Sequence, residues 1–306
     1  MSGPSLSGMF TYLGSGPYCY TNSLAMMLGP GAPPAGVIET LTGSPFGMQL
    51  LGGVTPFFDP CAWDPELGVD AAIELLGWTC ERGEGGDEEE ALARLRAAGP
   101  AMAGPLDMAL LPYAPGGGGD HYVVVLAVEG DTVVVHDPHG HPYATLSTAE
   151  FLAAWRAESV QYLTTPYVLR TGFVRVRETS TEEALRGSLP AAVRWLEGRD
   201  DLLPSPGTLG GADAALRLAE LVEQGLDVEV RGLLTHFGVR VGARRLADAA
   251  SCLASLGLAE AAAVVAGQAR LVGGLQHPLV TGDDRTAAAG LRRLAPAYRR
   301  LPALLS

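Results

Sequence analysis

Three side chains of this 306-residue sequence are the parts of one reaction: Cys19, His121 and Asp137. A thiol, an imidazole and a carboxylate make a nucleophilic triad when the imidazole takes the thiol proton and the carboxylate orients the imidazole. Cys19 lies in GSGPYCYTNSLAMMLG, residues 14–29. Gly14, Gly16 and Pro17 read as a turn and Thr21–Leu28 as a short helix, so the thiol faces the positive end of a helix dipole. That field is worth about 1 kcal/mol, which lowers a thiol pKa of about 8.5 by less than about one unit. A neighbouring imidazolium has to supply the rest, and His121 is the natural source. The N–H groups of the helix's first turn would then face a developing oxyanion.

The elements that must hold His121 and Asp137 together lie within LPYAPGGGGDHYVVVLAVEGDTVVVHDPHG, residues 111–140. Two apolar runs, Tyr122–Val128 and Thr132–His136, flank the polar turn Glu129-Gly130-Asp131 and read as a β-hairpin. Antiparallel pairing puts His121, opening one strand, beside Asp137, closing the other. Gly116–Gly119 precede a strand rather than a helix, so they read as a flap beside a pocket and not as a phosphate loop.

Four further polar residues are candidates for substrate binding. Asn22 stands just after Cys19, Glu39 lies in an apolar stretch, and Asp107 and Asp120 bracket the glycine run. An acidic pocket of this kind suits a cationic amine; each carboxylate reads equally as a solvated charge or a turn residue. The HDPHGH segment, with His136, Asp137, His139 and His141, invites a metal reading. Pro138 and Gly140 make it a turn rather than a helical ligand pair, and no separate ligand cluster in the sequence completes it, so no metal and no cofactor is expected.

The segments YCYTNSLAMML, VIETLTGSPFG (37–47) and DHYVVVLAVEGDTVVVHDP resemble the N-terminal domain family typified by butirosin biosynthesis protein H, and the last of them is also similar to papain-like cysteine peptidases. The resemblance covers about residues 10–180. It implies a papain-like fold, a Cys-His-Asp site at Cys19, His121 and Asp137, and transfer of an acyl group from a carrier-protein thioester to an amine. Papain-like peptidases place an oxyanion-hole Gln shortly before the Cys; here that stretch is TYLGSGPY, leaving Tyr12, Tyr18, Asn22 or backbone donors for the role. Proteolysis is therefore the less favoured chemistry of the group.

The expected fold is α+β: a papain-like domain with an antiparallel sheet at 1–179, then an all-α domain at 180–306. Strand signals end near residue 180. Helical patterns then run through Thr181–Arg199, Ala212–Gln224, Val228–Phe237, Ala243–Leu256, Ala259–Leu271 and Arg285–Arg300. A net charge of −13 argues against nucleic acid or an anionic membrane as partner. No apolar stretch approaches the roughly 18 residues of a membrane span. With no leader pattern at MSGPSLSGMF and four scattered cysteines, the expected location is cytoplasmic. The expected function is an acyltransferase or cyclase of natural-product biosynthesis acting on a carrier-protein- or CoA-linked substrate, with a small amine as acceptor. Thioester or peptide hydrolysis, carboxylate-driven ring closure on a tethered intermediate, and a non-catalytic papain-like binding protein are the alternatives.

Overall fold

The computed structural model describes residues 17–114 and 118–306. Tyr12, one of the expected oxyanion donors, Gly14 and Gly16 of the expected turn, and Gly116 and Gly117 of the expected flap lie outside the described residues.

From the N-terminal side, α1 (Cys19–Leu28) and α2 (Ala35–Leu41) lead to a small hairpin, β1 (Gln49–Leu51) and β2 (Thr55–Phe57), and then to α3 (Pro65–Leu75). There follow β3 (Trp78–Gly83), α4 (Glu88–Ala97), β4 (Ala101–Asp107), β5 (Asp120–Glu129), β6 (Thr132–Asp137), β7 (His141–Ser147), α5 (Thr148–Trp155) and β8 (Leu169–Arg175). From Thr181 the regular structure is helical apart from the two-residue β9 (Leu209–Gly210). Its helices are α6 (Thr181–Glu197), α7 (Gly211–Gln224), α8 (Val228–Leu233), α9 (Val239–Ser255), α10 (Ala259–Gly273), α11 (Gln276–Thr281), α12 (Asp284–Arg300) and α13 (Pro302–Leu305). The architecture is α+β with antiparallel sheets and a helical C-terminal region. Among the described residues no helix is long and apolar enough to cross a membrane.

The chain forms two compact units. One joins Tyr18–Ala35 to Leu76–Glu178, and the other joins Gly36–Leu75 to Thr179–Ser306. The first unit is built on a six-stranded antiparallel sheet in the order β3-β8-β4-β5-β6-β7. Strand alternation sends Tyr122 to one face and Val123 and Val125 to the other. On the Tyr122 face lies α1: the Tyr20 and Tyr122 rings meet edge-on at 5.9 Å, and Ser23 Oγ donates to the Tyr122 carbonyl at 3.1 Å. On the other face Val123, Val125, Val133 and Val135 pack with Leu95 of α4 and with Phe151 and Trp155 of α5. Two of the helices start on capping boxes that satisfy otherwise orphaned N–H groups: Asp87 with Glu90 for α4, and Ser147 with Glu150 for α5.

In the second unit β2, β1 and β9 form a three-stranded antiparallel sheet. Residues 36–75 and the C-terminal helices share a buried polar network. Arg245, on α9, donates from Nε to Glu39 Oε1 at 2.7 Å and from Nη1 to Asp59 Oδ2 at 2.9 Å. Ser44 Oγ donates to Glu39 Oε1 at 2.8 Å, and Gln49 Nε2 to Asp59 Oδ1 at 2.7 Å.

Candidate active site

The hairpin of β5 and β6 builds the site through its register. From the turn, Glu129 pairs with Thr132 and Ala127 with Val134. Continued unbroken, that ladder would set Gly140 opposite His121 and leave Asp137 on the wrong face. A bulge between Val125 and Ala127 shifts the pairing by one, so that Val124 faces His136. Extended past the last pair, the same offset sets His121 against His139, which lies in the turn that follows β6, and puts Asp137 on the face of His121. The contacts follow. His121 Nε2 is 2.9 Å from Asp137 Oδ2 with both side chains 1% exposed, and the His121 and His139 rings are 4.5 Å apart. The Asp137 oxygen lies off the line of the ring N–H, so the pair is a close polar contact rather than a linear hydrogen bond.

Asp137 is positioned by its other oxygen as well, since Oδ1 accepts the His139 backbone N–H at 2.7 Å. Burial alone pushes the Asp137 carboxyl up. The contact with His121 and its charge, together with the His139 N–H, outweigh burial and hold the carboxyl below its usual range. Tyr113 adds a neighbour that sequence patterns did not single out. Its hydroxyl is pushed well up, by burial first and then by the nearby charge of Asp137. Its ring lies 5.0 Å from that of His141. An aromatic just before a glycine run was the visible signal.

Cys19 is the first residue of α1, whose first turn holds no acidic side chain. It lies on the same helix face as Ser23, one turn earlier, about 6 Å along the axis from the residue that bonds the Tyr122 backbone. Asn22, half-buried, is its neighbour three residues on along the helix surface. By alternation His121 shares the face of Val123, whereas α1 covers the face of Tyr122. Neither ring nitrogen of His121 makes a hydrogen bond among the described residues, so the thiol is not bonded to it. The structure thus joins His121 to Asp137 and brings Cys19 to the same strand without closing the triad.

The other candidates have internal partners. Asp107 Oδ1 accepts the Ala109 N–H at 3.0 Å and its Oδ2 accepts Ser159 Oγ at 2.6 Å. Asp120 faces Asp107 across the ladder and accepts the Tyr162 hydroxyl at 2.9 Å. Glu39 is 0% exposed, belongs to the second compact unit and is held by Arg245, so the pocket-facing carboxylate expected from sequence is instead half of a buried ion pair. An apolar stretch gave no hint of a cation so far along the chain. His136 turns away from Asp137, accepting the Tyr143 N–H on Nδ1 at 3.1 Å.

Comparison with known proteins adds a relationship without an activity. Residues 204–306 match the family described as the YobF C-terminal domain. The "Uncharacterized protein YobF" of Bacillus subtilis (strain 168) is 34% identical over 165 residues, covering 50% of this chain and 53% of that protein. The alignment therefore spans about half the length of the relative.

Proposed function

We propose that the protein is a cysteine-dependent acyltransferase of papain-like architecture, with Cys19 as nucleophile, His121 as acid and base, and Asp137 as the residue that orients His121. The observation that carries the reading is the buried His121–Asp137 pair at the start of the strand that α1, opened by Cys19, packs against. With Nε2 turned to the carboxylate, His121 offers Nδ1 to the thiol. The reaction requires the sulfur to close on that nitrogen around the start of β5. His121 takes the thiol proton, the sulfur bonds to the acyl carbon of a thioester, and the departing thiolate leaves with the proton from the imidazolium. An amine then attacks the acyl-cysteine, gives its proton to His121 and displaces the Cys19 sulfur, which regains a proton. Asn22 and the α1 N-terminus are the donors for the oxyanion formed in each half. The donor is a thioester, of a carrier protein as the family resemblance implies or of CoA, and the acceptor a small amine.

Thiol reactivity tests this directly. Burial pushes the thiols of Cys61 and Cys252 up, so at neutral pH both are poor nucleophiles. Iodoacetamide should label Cys19 at least about tenfold faster than either, and His121→Ala should remove that advantage. With an acyl thioester, mass spectrometry should find the acyl group on Cys19 and then on the amine. Labelling of Cys19 no faster than of Cys61, or indifferent to His121→Ala, would reject the thiol mechanism; free acid as sole product would make the enzyme a hydrolase.

A further inference from the structure

We propose that His121, Asp137 and His139 form a binding site for a borderline divalent transition-metal ion of the Zn2+ class. In the sequence, HDPHGH offers imidazoles and a carboxylate but too few ligands on one side of the turn. The fold supplies the missing one from β5. One ligand atom from each of His121, Asp137 and His139 lies within 4.8 Å of the others. Bonds of about 2.0–2.2 Å in tetrahedral geometry place ligand atoms roughly 3.5 Å apart. The widest separation thus has to close by at most about 1.3 Å, which rotation of the exposed His139 can supply.

Three further observations favour a cation there. Both ring nitrogens of His121 and Oδ2 of Asp137 are buried without a hydrogen bond among the described residues. Such atoms carry a desolvation cost that a metal between them would relieve. Asp137 already has its second oxygen fixed by the His139 N–H, the kind of outer contact that orients a metal-bound carboxylate. His139 is exposed while His121 and Asp137 are buried, so one ligand faces the solvent from which an ion arrives and two hold it inside. Two imidazoles and one carboxylate suit Zn2+ and its neighbours, whereas Mg2+ and Ca2+ would find a single charged oxygen ligand. A metal-bound His121 cannot take a proton from Cys19, so the ion would also switch off the thiol; that consequence alone rests on the acyltransferase reading.

Equilibrium dialysis of the full chain against ZnCl2 decides the matter, with MgCl2 as control. Wild type and Cys19→Ala should each hold one ion per chain, and His139→Ala, altered only at an exposed side chain, should bind about tenfold more weakly or worse. Equal zinc retention by His139→Ala, or no preference of wild type for Zn2+ over Mg2+, would overturn the site. Iodoacetamide labelling at saturating Zn2+ separates the two ideas. Slower labelling of Cys19 in wild type but not in His139→Ala supports the switch. A Cys19 inert even without zinc defeats the thiol reading and leaves the metal site to stand or fall on zinc retention alone.

Discussion

Asp137 is both buried and ionised, and its neighbours are what make that tolerable. Burial opposes the charge, while the contact with His121 and the His139 N–H favour it enough to keep the carboxyl below its usual range. The sign of the pH effect follows. A carboxyl depressed in the folded state stabilises the protein above its unfolded value of 3.8, and that contribution is lost as pH falls through the lower folded value. Urea titrations of wild type and Asp137→Asn below about pH 4 should therefore diverge, with wild type losing stability more steeply. Several exposed carboxyls are also depressed, Glu150, Asp201, Glu223 and Asp283 among them, but they persist in both proteins and cancel in the difference. Superimposable acid limbs would mean that Asp137 is not held ionised by its neighbours.

At the level of elements, the site depends on a bulge and on the helices that close the core beneath it. The hairpin was legible from two apolar runs around a polar turn, and so was the proximity of His121 to Asp137. The shift of one residue between Val125 and Ala127 was not, because nothing local marks which residue a strand will leave unpaired. That shift sets His139 across from His121 and removes His136 to the other face. The third strand, β7, was also missed: HPYATLS mixes polar and apolar residues at an exposed sheet edge, where burial imposes little pattern. Ser147 opens α5 through a capping box with Glu150. It anchors α5, whose Phe151 and Trp155 line the core on the face that His121 and Asp137 share. Ser147→Ala should cost about 1 kcal/mol in urea unfolding. A change under about 0.3 kcal/mol would show that packing of Phe151 and Trp155 holds α5 without its cap.

Across the whole molecule the chain order and the packing order differ. The loss of strand signals near residue 180 marked the helical region correctly, yet residues 36–75 fold with those helices rather than with the sheet that follows them. Sequence patterns report which face of an element is apolar, not which distant element covers it, and here the link is polar. Arg245 joins Glu39 and Asp59 over separations of 206 and 186 residues, and all three side chains are at most 10% exposed. It lies within the segment that matches the YobF C-terminal domain, while both carboxylates lie outside it. A buried pair contributes little net stability compared with apolar residues of the same shape, but removal of one partner strands a charge in the interior. Arg245→Met leaves two buried carboxylates without their shared cation and should lower the unfolding free energy by about 3–5 kcal/mol. Adding Glu39→Gln and Asp59→Asn to Arg245→Met removes the stranded charges and should recover most of the loss. If the triple variant is no more stable than Arg245→Met alone, the network is valued for its hydrogen-bond geometry. Recovery would instead show that charge balance between the early segment and α9 is what binds the discontinuous unit together.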